Sequence, residues 1–319
     1  MTSITPSSDE VRRFIVEQRP VRGHIVRLEQ AWRALREHRE YLPPVRELLG
    51  QAVSASVLLA ATLKFRGHLT LQLHGNGAAR LLVAQCTHDF RVRALARVDD
   101  EWLRVAAAAG HADSGTLTPA IFRDLVGDEG RLAVTIEAAE REARYQGVVP
   151  LVGQSFSECL EEYFASSEQL PTRVRLAADE THAAGMLIQQ LPGRGDSAQS
   201  LEDTQSEAAW QSAQEGIVTV EAGELLGAPV EGVLQRNFAQ CDLRLFSGAP
   251  VRFECRCTPA RVASLLRALG PTEVREVLEE QGAVTVTCDF CNRPYRFDAI
   301  DVEQLFSAGA TPESPHSLH

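Results

Sequence analysis

Cys255 and Cys257 stand in "FECRC", and Cys288 and Cys291 stand in "VTCDFCN". Together they read C-x-C, thirty intervening residues, C-x-x-C. Two close cysteine pairs separated by a small folded segment are what a tetrahedral four-cysteine zinc site needs, since each pair supplies two sulfurs from one turn. No histidine has comparable spacing, so all four ligands are expected to be sulfur. Such a site can be a static clip that merely staples a small module. Two details point to more. Structural sites commonly repeat C-x2–4-C, whereas the first pair here is C-x-C with only Arg256 between. Each pair is also close enough in sequence to form its own disulfide, so oxidation could eject the metal without long-range rearrangement. A zinc-bound sulfur is held as thiolate, the form that oxidants attack. Arg256, Arg293 and Arg296 are placed to soften the negative charge of four thiolates. Cys86 and Cys159 fall in a strand and a helix where a small apolar residue would serve, and Cys241 stands nearer the cluster in sequence.

These thiols need elements to position them. Residues 247–308 read as a compact module. Pro259 opens a helix "PARVASLLRALG" that Gly270-Pro271 stops, and "TEVREVLEEQG" follows as a second helix. "AVTVTCDFCNRPYRF" is a strand, a tight knuckle and a returning strand, with "AIDVEQLF" a last short helix. Residues 309–319 are expected to be a disordered tail.

Residues 1–192 read as an α+β domain with a mixed α/β core. The strongest helix is "LPPVRELLGQAVSASVLLAATLKF". Pro43 and Pro44 suit its first turn, and apolar or small residues cover its whole circumference, which places it at the domain centre. "HLTLQLHGNGAARLLVAQCT" alternates on both sides of Gly75-Asn76-Gly77 and predicts a hairpin. Strands are expected in "RRFIVE", "RGHIVRL", "FRVRALARV", "RLAVTIEA", "RYQGVVPL", "TRVRLAADE" and "AGMLIQQLP", with a short helix in "EQAWRALREHR". Ser155 and Glu158 form a capping box for a helix through "SFSECLEEYFASSEQ".

Between these domains, residues 193–246 read as a linker or hinge. The part from 193 to 215 is acidic and poor in large apolar groups. The part from 217 to 246 recovers apolar spacing suited to short amphipathic helices, interrupted by Gly227, Pro229 and Gly232. A metastable helical linker that relies on docking is the expectation.

The formal net charge of −11 argues against broad nucleic-acid binding. Arg91, Arg93 and Arg97 share one strand face with Leu95 and read as a solvated sheet face. The longest apolar stretch, Ala52 to Leu63, is too short to cross a bilayer and ends at Lys64. "MTSITPSSDEVRRF" lacks the marks of a signal peptide, so a cytoplasmic location with reduced thiols is expected. No P-loop or other nucleotide motif is present.

The sequence resembles the bacterial thirty-three-kilodalton chaperonin family, redox-regulated heat-shock holdases, over nearly its whole length. "LLAATLKFRGHLTLQLHGNGAARLLVAQC", "RYQGVVPL", "ECLEEYFASSEQLPTRVRLAAD" and "LIQQLP" look like the family's N-terminal text. "PVRFECRCTPARV", "LRALG" and "VTCDFCNRPYRFDAIDVEQLF" look like its zinc module. Arg256 stands where a small residue is common, and "IEAAEREA" lacks the usual turn residues. The resemblance implies a non-enzymatic, ATP-independent chaperone holding one Zn2+ on Cys255, Cys257, Cys288 and Cys291 while reduced. It implies that oxidants, especially with heat, form Cys255–Cys257 and Cys288–Cys291 disulfides, release zinc, unfold the module and hinge, and expose apolar surface to unfolding client proteins. It further implies a homodimer on activation and no nucleic-acid, membrane or ATP partner. Two alternatives stand beside it. A thiol-disulfide oxidoreductase would use Cys288 and Cys291, but the thioredoxin-like βαβ context is missing. A zinc-ribbon nucleic-acid binder would need more basic surface.

Overall fold

A computed structural model describes residues 9–108, 117–138, 144–192 and 199–307 of the chain. The tail expected at 309–319 lies outside these residues. Two compact units are present, one ending at Glu254 and the other beginning at Cys255.

The first unit opens with strands β1 (Glu10–Val16) and β2 (Val21–Leu28), helix α1 (Gln30–Arg36) and the central helix α2 (Pro43–Thr62). Strands β3 (Gly67–His74), β4 (Ala79–Thr87) and β5 (Arg91–Val98) follow, then helices α3 (Asp100–Ala108) and α4 (Pro119–Val126). Next come β6 (Arg131–Ala138), β7 (Arg144–Pro150), α5 (Phe156–Tyr163), β8 (Thr172–Ala178) and β9 (Ala183–Gln190). The chain then forms helices α6 (Gln199–Thr219), α7 (Ala222–Gly227) and α8 (Val230–Asn237), and short strands β10 (Leu243–Leu245), β11 (Ala249–Pro250) and β12 (Arg252–Phe253).

Two sheets sandwich α2. The first runs β10-β1-β2-β9-β8, with β11 also pairing β1; the second runs β12-β5-β4-β3-β6-β7. Helix α2 is buried from Pro44 through Ala60 except at Arg46 and Glu47, because both of its sides meet a sheet. This is the central buried helix that an all-round apolar circumference predicts. Asp9, itself buried, caps α1 by accepting from the backbone N–H groups of Glu29, Gln30 and Ala31. The Gly75-Asn76-Gly77 hairpin forms and is pinned by Asn76, whose Oδ1 accepts from Glu129 N at 3.0 Å. Ser155 caps α5, accepting from Glu158 N at 3.2 Å, but Glu158 reaches back to Gln154 N instead of Ser155 N.

The two sheets differ on their far sides. The second sheet carries a polar ladder there: Arg93 Nε donates to Gln85 at 2.7 Å, and Gln85 Nε2 donates to Thr70 at 2.9 Å. Arg91 pairs with Asp89 at 2.8 Å and Glu254 at 2.6 Å. The first sheet instead presents Phe14, Ile25, Met186 and Ile188, and α6–α8 cover them with Trp210, Ile217, Leu225, Val233 and Leu234, joined by Phe238 just past the end of α8. Each large apolar side chain so buried contributes about 1.5–3 kcal/mol, so docking, more than helix propensity, holds this layer. Phe14 lies over Gly23 of the neighbouring strand and meets Phe238 edge-on at 5.9 Å. Arg12 adds an ion pair to Glu231, and Arg27 donates to the Ala228 carbonyl.

Helix α6 is longer than the linker composition suggests. Its Trp210, Ala213 and Ile217 recur at helical spacing along one buried stripe, and that stripe is enough once a sheet receives it. Strands β10–β12 are a second departure from expectation. Residues 243–253 add to both sheets, and their two or three residues of pairing depend on partners far away in sequence. Among the described residues no helix is long and apolar enough to cross a membrane.

Two predictions follow from this architecture. Gly223 and Gly232 sit within α7 and α8, and no described residue comes within 4 Å of where a Cβ would stand. Gly223→Ala with Gly232→Ala is therefore expected to stabilise these helices by up to about 1 kcal/mol per site, seen as slower hydrogen exchange across α7 and α8. His24 supplies the other. It is buried opposite Arg13 on the neighbouring strand, and its Nδ1 has no hydrogen-bond partner among the described residues. Burial first, then the charges of Arg22 and Arg13, hold its pKa down at about 4 against an ordinary 6.5. Below pH 6.5 the unfolded chain binds a proton that the folded chain refuses, so this contribution is complete above 6.5 and is lost as pH falls toward 4. Urea unfolding should show the wild type losing on the order of 3 kcal/mol more than His24→Asn between pH 7 and 4. Equal losses would show that His24 takes up its proton as readily in the folded chain as in the unfolded one.

Candidate metal centre

The second unit begins with the first cysteine pair. Immediately after Cys257, Thr258 caps helix α9 (Pro259–Leu269), its Oγ1 accepting from Arg261 N at 3.2 Å. Gly270, at φ 101°, turns the chain into α10 (Pro271–Gln281), which Gly282 ends at φ 71° in the left-handed region. Strands β13 (Val284–Thr287) and β14 (Pro294–Phe297) then pair antiparallel, and α11 (Ala299–Ser307) closes the unit. Its core is small: Leu266, Val274, Val284, Val302 and Leu305 form the buried cluster.

The second cysteine pair occupies the knuckle between β13 and β14. Cys288 N donates to Arg293 O at 3.0 Å, and Asn292 N donates to Cys288 O at 2.8 Å. Asn292 takes φ 54°, a left-handed conformation that asparagine tolerates better than most residues. The first pair is braced by Arg261, whose guanidinium donates to the Arg256 carbonyl at 2.9 Å.

The four sulfurs of Cys255, Cys257, Cys288 and Cys291 lie within 4.8 Å of one another. Cys255 Sγ is 3.6 Å from Cys288 Sγ, and Cys257 Sγ is 3.4 Å from Cys291 Sγ. Tetrahedral coordination with zinc–sulfur bonds of about 2.3 Å requires sulfurs about 3.8 Å apart. Both of these spacings fall a few tenths of an ångström short of that edge, and an all-sulfur donor set suits a soft or borderline metal. These four residues can hold a metal ion. Cys291 is buried and the others are half-buried.

As free thiols the members of the cluster are unequal. Burial works to raise Cys257, but hydrogen bonds from Tyr295 first, and then from the neighbouring cysteines, outweigh it and bring the pKa to about 7. Burial pushes Cys255 and Cys291 up. The Tyr295 hydroxyl donates to Cys257 Sγ at 3.1 Å, and that bond is the main reason its own pKa rises to about 12. Sequence reasoning passed over both Tyr295 and Arg261. The available signal was a tyrosine on the returning strand, four residues beyond the last cysteine. Of the three arginines expected near the sulfurs, Arg293 acts on Tyr295, and Arg256 contributes its carbonyl to the brace. Cys86 and Cys159 are buried in the first unit, where burial pushes both thiols up, Cys159 to about 12. Burial also raises Cys241.

Fold and site together define a mixed α/β protein whose last unit carries a cysteine cluster of metal-binding geometry. The sequence pattern of the Hsp33 protein family matches residues 9–298, and the chain belongs to that family. It is 42% identical over 310 residues to a 33 kDa chaperonin of Pseudomonas paraeruginosa, covering 97% of each chain. It is 38% identical over 301 residues to a 33 kDa chaperonin of Methylobacillus flagellatus, covering 94% of this chain and 95% of that one. The crystal structure of a 33 kDa chaperonin from Thermotoga maritima shares the fold, with TM-score 0.73 and 24% identity over 93% of this chain and 97% of that one.

Metal loading tests the centre. Wild-type protein reduced and mixed with Zn2+ is expected to retain about one ion through gel filtration, with a raised melting temperature for the second unit. Cys288→Ser with Cys291→Ser leaves two sulfurs and should lose both effects. A double variant that keeps its zinc would show that these cysteines are not the ligands.

Proposed function

We propose that this protein is a redox-regulated chaperone, an ATP-independent holdase that binds unfolding proteins and prevents their aggregation under oxidative and heat stress. The observation that carries the proposal is the cluster of four sulfurs in a unit with little core of its own. The family and the chaperonin relatives supply its context. In a reducing cytoplasm Cys255, Cys257, Cys288 and Cys291 hold one Zn2+ as thiolates, and the ion staples the second unit. Structural zinc sites contribute on the order of 10 kcal/mol of folding free energy to small modules.

Peroxide reverses this. In each pair one thiolate sulfur attacks a peroxide oxygen, the O–O bond breaks, and the sulfur leaves as a sulfenic acid. The paired cysteine then displaces that oxygen as water. Each pair thereby loses two electrons and gains one S–S bond, Cys255–Cys257 or Cys288–Cys291, while one peroxide and two protons become two waters. Disulfide formation removes the donors that zinc requires, and the unit loses its staple.

Residues 193–246 act in this reading as the hinge. Helix α7 has only six residues, and neither it nor α8 has a side-chain N-cap. The linker returns to the sheets through β10–β12, and β12 ends one residue before Glu254, which adjoins Cys255 in the chain. Loss of order at Cys255 therefore acts on a strand of two residues. Undocking α6–α8 uncovers Phe14, Ile25, Met186 and Ile188 together with the apolar stripe of the helices, a broad surface for unfolding clients. The activated form is a homodimer, with no use for ATP, nucleic acid or a membrane.

Light scattering of a thermally unfolding client, with zinc release followed by a chromophoric chelator, tests the proposal. Reduced protein should leave aggregation unchanged. Protein oxidised by peroxide at raised temperature should release one zinc and suppress aggregation stoichiometrically without ATP. If the oxidised, zinc-free protein leaves aggregation unchanged, the holdase reading is lost; catalytic turnover of a disulfide substrate would favour an oxidoreductase.

A further inference from the structure

Tyr295 is tied to the sulfur cluster by geometry. It stands on β14 opposite Val286 of β13, so the knuckle's own hairpin fixes where its ring lies. Its hydroxyl donates to Cys257 Sγ across 3.1 Å, which joins the returning strand to the C-x-C loop from the far end of the unit. Cys257 also touches Cys291 at 3.4 Å, so this sulfur is held from two directions.

We infer that Tyr295 is a positioning residue for the thiol chemistry, its hydroxyl damping the nucleophilicity of Cys257 while the sulfur is bound as thiolate. The inference rests on the reading of the four cysteines as zinc thiolates. A sulfur that accepts a hydrogen bond shares its charge with the donor, and outer partners of this kind tune metal-bound ligands. A bond to an anionic sulfur lowers its effective basicity by about one to two pK units. Nucleophilicity follows basicity with a slope of about 0.4–0.5. Removing the hydroxyl should therefore speed attack by Cys257 about three- to eight-fold. The same damping protects the resting centre from trace electrophiles and sets how much oxidant is needed to open it.

The test is Tyr295→Phe, which keeps the ring and removes the donor. Zinc-loaded wild type and variant are each treated with iodoacetamide under native conditions; the sulfur displaces iodide and forms an S–C bond. Labelling at Cys257 and Cys288 is then counted by peptide mass spectrometry, and peroxide-driven zinc release is timed in parallel. The variant is expected to show a Cys257-to-Cys288 labelling ratio raised about three- to eight-fold, with faster zinc release. In the cobalt-substituted protein, its sulfur-to-metal charge-transfer band should move to longer wavelength.

An unchanged ratio overturns the proposal. So does faster release with an unchanged ratio, because a merely loosened unit would expose both cysteines alike. A wild-type protein that takes up neither zinc nor cobalt would bring down the reading of the centre itself, and the role of Tyr295 with it; this failure is recognisable because it shows in the wild type.

Discussion

Four sulfurs held within 4.8 Å of one another pose an electrostatic problem that the rest of the second unit is arranged around. Two unit charges about 4 Å apart repel by about 4 kcal/mol at an effective dielectric near 20. Ionised together, the thiolates would therefore force the site open unless a cation stood between them. Protonated together, they are poor glue. The buried cluster of Leu266, Val274, Val284, Val302 and Leu305 is a slight counterweight to chain entropy over a unit of this length. Helices α9 and α10 form a loop whose two ends are the cysteine pairs. Whatever joins the sulfurs closes that loop, and whatever separates them opens it.

The first unit answers a different constraint. Its second sheet solves the problem of a far face by setting polar groups among the apolar ones there, as in the Thr70–Gln85–Arg93 ladder beside Val83 and Leu95. Its first sheet makes the far face apolar and then needs a cover. The cover consists of helices with few stabilising devices of their own. Gly223 and Gly232 weaken them where space for a side chain is available, and Glu221 and Pro229 stand at cap positions without capping hydrogen bonds. Helix stability here is borrowed from the sheet. The polar ties, Arg12 to Glu231 and Arg27 to the Ala228 carbonyl, orient the layer more than they strengthen it.

Much of this was legible in the residues. The all-round apolar circumference from Pro44 to Ala60 announced a helix between two layers, and alternation around Gly75-Asn76-Gly77 announced the hairpin. Cysteine spacing brought Cys255, Cys257, Cys288 and Cys291 to one place. Other features resisted for physical reasons. Trp210, Ala213 and Ile217 are a thin stripe in a polar, acidic segment, and their helix exists because a sheet receives them. Strands β10–β12 have too little length to carry a pattern, and their partners lie more than a hundred and fifty residues away in sequence. Thr118-Pro119 was a readable start for α4, where Thr118 accepts from Ile121 N, and it went unused. Tyr295 offered only a weak signal, four residues beyond the last cysteine, because the hairpin and not the spacing brings its hydroxyl to a sulfur.

The linker helices have one more property, set by where their segment begins and ends. The chain leaves the first sheet at β9 and rejoins that same sheet at β10, so α6–α8 are an excursion pinned at both ends. Were these helices to melt, their apolar groups would remain tethered beside the face they had left, at an effective local concentration of about millimolar. Any bound chain would have to outcompete that tethered segment. Chains with more exposed apolar surface would compete better with it than chains with little. Under the proposed holdase reading, the closed tether would act as an affinity filter, and it would supply an intramolecular competitor for any client once the helices became stable again.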